Sequence, residues 1–152
     1  MTDRDRAPAP LSEQLCFAIY SAAHAMNRVY KPLLDPLGLT YPQYLALLVL
    51  WESEGITVKE LGNRLFLDSG TLTPLLKRME AAGLVARQRD TADERLVRVT
   101  LTDAGRALRQ KAGAVQDGIL CATGLSADAL TALRDGLAGL RGNLLAQPQR
   151  ED

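Results

Sequence analysis

Two short helices, a tight turn and a β-hairpin are predicted in close succession in the middle of the chain. A capping box that begins at Thr57 opens the first helix, because a threonine and the glutamate three residues later satisfy free amides of the first turn. Asp68 is placed to cap the second helix, which Gly83 ends. Two β-prone stretches, 84–89 and 96–101, then flank a polar loop of hairpin length. Few folds accommodate this order at such close spacing.

The order of these elements is typical of a winged helix-turn-helix, whose second helix enters the major groove of DNA. In that helix, leucines and a methionine at helical spacing face the core and leave a polar outer face. From that face we predict DNA contacts by Ser69, Thr71, Thr73, Pro74, Lys77 and Arg78. Small hydroxyls can approach base edges closely, and the two basic side chains lie where phosphates would run. An ordinary amphipathic surface helix has the same pattern and remains the alternative.

The hairpin concentrates positive charge through Arg87, Arg89, Arg95 and Arg98. A wing arginine can insert into a narrow, electronegative minor groove. We assign this role to Arg95, with Asp93 two residues earlier holding the guanidinium in a charge-assisted pair. The formal net charge of the chain is zero, so any contact with DNA depends on such local placement of charge. Because acidic residues also lie in the loop, a salt-bridged surface turn stays open as an alternative.

Composition favours packed helices over a sheet-rich fold, since 47% of the 152 residues are hydrophobic and few are aromatic. We predict a mainly α fold with a small β-hairpin wing, in one domain over residues 11–146 between a disordered tail at 1–10 and a second tail at 147–152. Outside the motif, helices are expected from Ser12 to Lys31, from the Thr40 cap to Gly55, from the Thr102 cap to about Gly118, and from the Ser126 cap to about Leu145.

The helices outside the motif carry more apolar surface than a small motif core can bury. The residues concerned are Leu15, Ile19, Ala23 and Met26 near the N-terminus, and Leu130, Leu133, Leu137, Leu140 and Leu144 near the C-terminus. This surplus predicts that segments 11–56 and 103–146 form a helical dimer interface around the winged helix-turn-helix at 57–102. A homodimer suits double-stranded operator DNA with an inverted repeat, because two recognition helices can read half-sites about one helical turn apart.

Cys16 stands close to the predicted start of the first helix, with Ser12 as the expected N-cap. The free amides and the positive dipole end of a first turn favour thiolate over thiol, and a thiolate reacts with peroxides. A buried cysteine that acts as a small hydrophobe is the alternative. The only other cysteine in the sequence, Cys121, is 105 residues away, and both are expected to be reduced at rest.

The sequence disfavours membrane and metal functions. The N-terminus mixes charges with prolines, and no apolar run is long enough to span a bilayer, so we expect a cytoplasmic protein without a membrane segment. One histidine, His24, and the lack of clustered cysteines argue against a metal site. We expect no cofactor.

From about Leu11 to Leu145 the chain resembles the MarR family of dimeric winged-helix regulators and, within it, the organic-hydroperoxide-sensing repressors of the two-cysteine (OhrR) type. The matching segments are Gln14–Ala18, Leu39–Leu45, Leu67–Ser69, Thr71–Arg78, Asp93–Arg95 and Cys121. The recognition-helix segments are shared across much of the wider family, whereas the cysteine and tyrosine marks are specific to the peroxide sensors.

The resemblance implies roles for four residues. Organic hydroperoxides would oxidise Cys16 to a sulfenic acid, and Tyr30 and Tyr41 would hydrogen-bond its reduced thiolate. Cys121 would then act as the resolving cysteine in an intersubunit disulfide that releases DNA. Tyr30 lies 14 residues after Cys16 on the same predicted helix, about 21 Å away at the usual rise, so a tyrosine that reaches Cys16 has to come from the other subunit. Taken alone, both tyrosines also fit core-edge aromatics, and Cys121 fits an inert loop thiol.

Two other functions remain open on the sequence. One is a regulator of the same fold that binds a phenolic or aromatic ligand at the dimer interface. The other is a thiol peroxidase without a DNA role, which is disfavoured because no peroxidatic motif accompanies Cys16. We therefore expect a transcriptional repressor and not an enzyme.

Overall fold

Six α-helices and two strands follow one another along residues 7–148, the part of the chain that the computed structural model describes. They are α1 (Leu15–Leu34), α2 (Tyr41–Glu52), α3 (Val58–Leu65), α4 (Ser69–Ala81), β1 (Val85–Arg89), β2 (Val97–Leu101), α5 (Asp103–Thr123) and α6 (Ala127–Leu145). Two short 3₁₀ turns, Leu11–Glu13 and Asp35–Leu37, flank α1. The predicted fold class, mainly α with a small β-hairpin, is confirmed. Residues 1–6 and 149–152 of the expected tails lie outside the described residues.

The chain forms two compact units, and the boundary between them falls inside α5, after Ile119. The first unit is organised around α2, which contacts α1, α3, α4 and β2. Its largest fully buried side chains are Leu34, Leu47, Leu50, Leu61, Leu72, Leu76, Met79 and Val99. Because α2 meets neighbours on most sides, its sequence is apolar nearly all round instead of along one stripe.

The helix starts predicted from capping residues are confirmed for α2, α3 and α4. Thr40 and Thr57 each form a reciprocal capping box with the residue three positions later. The side chain of Asp68 accepts a hydrogen bond from the amide of Thr71 at 2.8 Å. These caps satisfy amides that have no partner within the helix, and so they fix where each helix begins.

The start of α1 differs from the prediction. Ser12 lies within the 3₁₀ turn instead of capping α1, which begins at Leu15 with Gln14 as an extended N-cap. The Gln14 side chain turns back and donates from Nε2 to the carbonyl of Ala9 at 2.8 Å. No side chain therefore caps the first amides of α1. Cys16 is the second residue of α1 and therefore lies closer to the N-terminal end of the helix than the sequence predicts.

α1 ends three residues later than predicted, at Leu34. Pro32 lies in the last turn, where the missing amide removes a single hydrogen bond. Leu34 is only 1% exposed and packs in the core. The burial of this leucine offsets the lost hydrogen bond and keeps the last turn helical.

α5 also ends later than predicted, which places Cys121 in a helix and not in a loop. The sequence indicates an end near Gly118, but the helix continues to Thr123 and stops before Gly124, whose φ is +64°. Gly118 allows the Leu33 side chain to pack closely against α5, because a Cβ built at Gly118 would lie 2.9 Å from Cδ2 of Leu33. A helical glycine costs only about 1 kcal/mol relative to alanine, which is too little to end a packed helix.

The two strands form the expected antiparallel hairpin, with Val85 opposite Leu101. Their bounds agree with the predicted stretches to within one residue. The segment before α3 hydrogen-bonds β2 as well, since the amide of Val99 donates to the carbonyl of Ile56 at 2.9 Å. The base of the wing is therefore fastened to the helix-turn-helix.

The second unit consists of the last residues of α5 together with the whole of α6. The predicted N-cap of α6 is confirmed. The side chain of Ser126 accepts a hydrogen bond from the amide of Ala129 at 3.2 Å. No residue of α6 between Ala127 and Leu145 is buried, and three leucines of the predicted dimer surface, Leu133, Leu137 and Leu144, are 54%, 42% and 63% exposed. An apolar face of this kind is typical of a helix that pairs with another chain.

α1 carries a second exposed apolar surface, in the first unit. Leu15, Ile19 and Met26 are 59%, 37% and 43% exposed.

Within residues 7–148 no single helix has both the length and the apolar character to cross a bilayer. Only the bent helix pair Leu15–Leu37 with Tyr41–Glu52 meets that criterion, by length and composition alone.

Gly105 leaves no room for a side chain near the start of α5. A Cβ built there would lie 2.2 Å from the carbonyl oxygen of Leu84, and the Gly105 carbonyl accepts a hydrogen bond from Nε1 of Trp51 at 2.9 Å. We expect Gly105→Ala to lower the free energy of unfolding by about 3 kcal/mol, because a clash with backbone outweighs a gain of about 1 kcal/mol in helix propensity. Urea denaturation at fixed protomer concentration measures the change.

Gly113 provides the matched control in the same helix. A Cβ at Gly113 meets nothing within 4 Å. Gly113→Ala should therefore equal the wild type or gain up to about 1 kcal/mol. Equal stability of Gly105→Ala and Gly113→Ala would show that the close approach to Leu84 does not constrain the fold.

Candidate DNA interface and redox cysteines

The outer face of α4 presents the residues predicted to contact DNA. Ser69, Thr71, Pro74, Lys77 and Arg78 are exposed, and Thr73 is partly buried. The opposite face packs into the core through Leu72, Leu75, Leu76 and Met79, each at most 2% exposed. Because the core fixes one face of the helix, the direction of the polar face is fixed as well. Small hydroxyls occupy its first turn and the cations follow two turns later.

Arg95 and Asp93 form the pair that the sequence predicts in the wing loop. Nε and Nη2 of Arg95 donate to the two carboxylate oxygens of Asp93, each at 3.0 Å. These hydrogen bonds hold the pKa of the Asp93 carboxyl below its ordinary value, so the carboxylate is ionised at neutral pH. The Arg95 side chain nevertheless remains 89% exposed. The pair orients the guanidinium and leaves it accessible.

Two other wing arginines hold the hairpin in place. Arg87 on β1 pairs with Glu80 on α4, with Nε 2.6 Å from Oε1. Arg98 on β2 pairs with Asp90 and donates from Nη1 to the carbonyl of Gly55 at 2.9 Å. Hydrogen bonds from these arginines lower the pKa of both carboxyl groups. The wing loop is therefore a salt-bridged turn, through Arg98 with Asp90 and Arg95 with Asp93, and these contacts are compatible with both interpretations of the sequence.

Three tyrosines form an aromatic cluster where α1 meets α2. The ring centroids of Tyr30 and Tyr41 lie 4.6 Å apart, and that of Tyr44 lies 6.0 Å from Tyr30. Burial, together with the neighbouring phenols, raises the pKa of Tyr30 to about 12, and burial raises the pKa of Tyr41. Both phenols are therefore protonated at neutral pH and can donate a hydrogen bond. With Asn27 and Lys31 they line a cavity of about 340 Å³.

Tyr44 is a member of this cluster that the sequence reasoning misses. The sequence spacing indicates this contact, since Tyr44 follows Tyr41 by three positions and residues at that spacing share a helix face. Tyr44 is 3% exposed and belongs to the core, against which Tyr30 and Tyr41 pack. The interpretation of Tyr30 and Tyr41 as core-edge aromatics is confirmed, and it is compatible with hydrogen bonding by their hydroxyls.

Cys16 is exposed at the N-terminal end of α1. The amide of Ala18 donates to the carbonyl of Gln14 at 3.1 Å, so the amides of residues 15–17 have no partner inside the helix. An anion beside this uncapped first turn is stabilised by the aligned peptide dipoles. The alternative of a buried, hydrophobic Cys16 does not describe this chain.

Cys121 is exposed in the last turn of α5, in the second unit. Both cysteines are free thiols in the single chain. Leu120 and Leu125, on either side of Cys121 in sequence, are 42% and 44% exposed. Neither cysteine belongs to a metal cluster, because within residues 7–148 no three His, Cys, Asp or Glu side chains are grouped to hold an ion.

Comparison with known proteins finds relatives along most of the chain. Residues 28–112 match the family described as transcriptional regulator SarA/Rot. The chain is 56% identical over 146 residues to the HTH-type transcriptional regulator TtmR of Methylorubrum extorquens, covering 96% of this chain and 74% of that protein. It is 51% identical to the organic hydroperoxide resistance transcriptional regulator of Bacillus subtilis, covering 84% and 86% of the two chains.

Solved structures show the same fold. Reduced AbfR bound to DNA matches with a TM-score of 0.73 and 37% identity, covering 89% of this chain and 94% of that one. AbfR of Staphylococcus epidermidis is also known in an overoxidised form bound to DNA and in a form with a disulfide, which match with TM-scores of 0.71 and 0.63.

The wing, the polar face of α4 and these relatives together define a class, the winged-helix transcriptional regulators. Within that class the chain belongs to the SarA/Rot and MarR family, and to its OhrR type. The relatives are named regulators of transcription, in agreement with the expectation that the chain is not an enzyme.

Proposed function

We propose that the chain is a cytoplasmic, homodimeric repressor that binds an inverted-repeat operator in double-stranded DNA and releases it when an organic hydroperoxide oxidises Cys16. The observation that carries this proposal is the exposed Cys16 at the uncapped start of α1, in a chain 51% identical to an organic hydroperoxide resistance regulator. The DNA-bound structure of a relative that is 37% identical supports operator binding.

The oxidation consists of two balanced steps. The sulfur of Cys16 attacks an oxygen of the hydroperoxide, the O–O bond breaks, the alcohol leaves and Cys16 becomes a sulfenic acid. The thiol of Cys121 of the partner subunit then attacks the sulfenic sulfur, an S–S bond forms and water leaves. A dithiol reductant returns both thiols, so the switch is reversible. Cys121 is the resolving cysteine in this scheme.

Tyr30 and Tyr41 are proposed to hydrogen-bond the reduced Cys16 across the dimer. On one chain Tyr30 lies 14 residues beyond Cys16 in α1, about 21 Å along the helix, so the two cannot meet within a protomer. Both phenols are protonated at neutral pH, because burial raises pKa values that already lie well above 7, so each hydroxyl can donate a hydrogen bond to the sulfur of Cys16. The cavity beside them supplies space for a small hydroperoxide.

The dimer is proposed to form through segments 11–56 and 103–146 of a single domain spanning 11–146, with the winged helix-turn-helix at 57–102. Large apolar side chains are exposed in both segments, on α1 and on α6. Burial of such surfaces drives association, and a symmetric dimer presents two copies of α4 to two half-sites.

A regulator controlled by an aromatic ligand is the second candidate. A cavity of about 290 Å³ between α2 and α5 is lined by Tyr44, Trp51, Arg109 and Gln116, among others. Two aromatic rings beside a guanidinium suit a phenolic or aryl carboxylate ligand. Replacement of Cys16 distinguishes the two candidates, because a regulator controlled by an aromatic ligand does not need Cys16 in order to release DNA.

An operator-shift assay tests the proposed function. The probe is a duplex selected from random DNA by the reduced protein. Reduced protein should shift this duplex, tert-butyl hydroperoxide should abolish the shift, and a dithiol should restore it. Binding that ignores the hydroperoxide, or that is lost and not restored, contradicts the proposal.

The wing arginine is expected to contribute directly to operator affinity. Arg95→Ala should weaken binding about tenfold to a hundredfold through the lost minor-groove contact, because the side chain is exposed and oriented by Asp93. Fluorescence anisotropy with the selected duplex measures the change, and size-exclusion chromatography checks that the dimer is intact. Unchanged affinity at moderate salt would mean that the wing does not touch DNA.

Lys77 is expected to act differently, as a phosphate contact. Lys77→Ala should lower affinity for all sequences and reduce the slope of log affinity against log salt by about one. Lys111, an exposed lysine on α5, serves as the matched control. A slope equal to that of Lys111→Ala would exclude the phosphate contact.

A further inference from the structure

The cavity beside the tyrosine cluster contains a polar side chain that the proposed function does not use. This cavity encloses about 340 Å³, and its lining comprises Asn27, Tyr30, Lys31, Leu34, Asp35, Leu39, Thr40, Tyr41 and Pro42. Asn27 precedes Tyr30 by three positions on α1, so the two residues share a helix face. Asn27 is exposed, and its carboxamide therefore lies within reach of a molecule that enters the cavity next to the tyrosines.

Apart from the two phenols, the other polar side chains in the lining are already engaged. Nζ of Lys31 donates to both carboxylate oxygens of Asp35, each at 3.2 Å. Oγ1 of Thr40 accepts from the amide of Gln43 at 3.4 Å in the capping box of α2. Among residues 7–148 the Asn27 carboxamide has no hydrogen-bond partner within 3.5 Å. Its two N–H donors are therefore available to a molecule in the cavity.

Cleavage of a hydroperoxide develops negative charge on two different atoms. Cys16 gives its proton to water, and the thiolate sulfur forms a bond to the terminal oxygen, which keeps its hydrogen and becomes the sulfenic hydroxyl. The O–O bond breaks, and its electron pair passes to the inner oxygen, which leaves as an alkoxide and takes a proton from water. Because the sulfur attacks in line with the O–O bond, the leaving oxygen lies on the far side of the terminal oxygen.

The cavity supplies separate donors for these two charges. Tyr30 and Tyr41 are the proposed donors to the sulfur, whereas a leaving oxygen farther inside also meets the apolar side chains of Leu34 and Leu39. Charge that develops beside apolar groups is poorly solvated by water and is best stabilised by a fixed donor. Asn27 lies one helical turn from Tyr30, with about 5–6 Å between Cβ atoms, so its donors are displaced from the phenol hydroxyls.

We propose that Nδ2 of Asn27 hydrogen-bonds the leaving oxygen of the organic hydroperoxide and thereby speeds the oxidation of Cys16 of the partner subunit. This proposal rests on the proposed function, in which Cys16 of the partner subunit lies against Tyr30 and Tyr41, and it adds the group that stabilises the departing alkoxide. The need for Asn27 should increase with the basicity of the leaving group, because a more strongly charged oxygen accepts a stronger hydrogen bond.

The rate constant for oxidation of Cys16 by two oxidants with different leaving groups tests this role. The leaving group of tert-butyl hydroperoxide is a strongly basic alkoxide, and that of 3-chloroperoxybenzoic acid is a weakly basic carboxylate. Every protein carries Cys121→Ser, so that only the first step is followed. Aliquots are quenched with an excess of a maleimide, and mass spectrometry of the Cys16 peptide quantifies the remaining thiol.

Asn27→Leu removes the donors at similar volume and should slow oxidation by tert-butyl hydroperoxide about tenfold, but oxidation by the peracid less than about twofold. Asn27→Ser keeps a hydroxyl donor and should recover part of the loss. Arg28→Leu is the matched control, since Arg28 is exposed on α1 and does not line the cavity. It should react at the parent rate with both oxidants.

The outcomes separate this inference from the function on which it rests. Equal slowing of both oxidants by Asn27→Leu, or no slowing, overturns the role of Asn27, and the proposed function stands if hydroperoxide still releases operator from the wild type. A selective loss in Lys31→Gln with none in Asn27→Leu assigns the leaving oxygen to Lys31 and also overturns it. If hydroperoxide does not oxidise Cys16 of the parent protein, both proposals fail. Thermal melting and operator binding of each reduced variant exclude unfolding as the cause.

Discussion

Replacing Cys16 by serine should leave operator binding intact and abolish its release by organic hydroperoxide. The side chain stands exposed at the start of α1, so a hydroxyl fits without a change in packing. A hydroperoxide does not oxidise a serine hydroxyl, whereas it oxidises a cysteine thiol to a sulfenic acid. We expect the hydroperoxide to lower wild-type affinity by about a hundredfold or more, equivalent to about 2.8 kcal/mol, and not to change that of Cys16→Ser.

A neighbouring substitution controls for effects on the helix start. Ala18→Ser introduces the same hydroxyl two residues later, also at an exposed position of α1, and should respond to hydroperoxide as the wild type does. If Cys16→Ser still releases DNA after hydroperoxide, another residue is the sensor. Control by an aromatic ligand would then become the better account of the cavity between α2 and α5.

Replacing Cys121 by serine should remove the covalent dimer that hydroperoxide produces. After one equivalent of hydroperoxide, non-reducing electrophoresis of the wild type should show a band at dimer mass that a dithiol reverses. The band should be absent in both Cys121→Ser and Cys16→Ser. Without a resolving thiol, the Cys16 sulfenic acid should condense with an added small thiol to a mixed disulfide or, with a second equivalent of hydroperoxide, become a sulfinic acid, and mass spectrometry of the Cys16 peptide detects either product.

The same experiment distinguishes where the disulfide forms. A disulfide within one monomer would exclude the intersubunit scheme, and the absence of any disulfide would leave Cys121 without a redox role.

The parts of the fold that depend on neighbouring residues in sequence were predictable. Thr40, Thr57, Asp68 and Ser126 cap the helices that they were expected to cap, because an N-cap needs only its own side chain and amides two or three residues later. The buried stripe of α4 follows in the same way from helical spacing.

Two of the misplaced helix ends, the start of α1 and the end of α5, depend on contacts that the local pattern does not contain. Ser12 has the chemistry of an N-cap, but a 3₁₀ turn includes it and Gln14 takes the N-cap position. Gly118 has the chemistry of a helix terminator, but its missing side chain makes room for Leu33. In both cases tertiary packing or an alternative turn overrides a correct local preference.

In the candidate site, too, contacts between residues close in sequence were predictable and contacts between distant elements were not. The pairing of Arg95 with Asp93 involves residues two positions apart and was predictable, whereas Arg87 finds Glu80 only because β1 packs against α4. The tyrosine cluster likewise joins two helices. Exposure of Cys16 could not be read from the sequence, because a cysteine in an apolar run fits a core position equally well.

The most direct test of the redox switch follows operator occupancy and disulfide content in one titration. Operator-bound wild-type protein receives increasing tert-butyl hydroperoxide up to one equivalent per subunit, and each sample is divided between anisotropy and mass spectrometry of the cysteine peptides. Operator occupancy should fall in proportion to the Cys16–Cys121 disulfide between subunits and should recover when a dithiol reduces that disulfide. Release of DNA before any Cys16 is oxidised, or full occupancy with the disulfide complete, would contradict the redox switch.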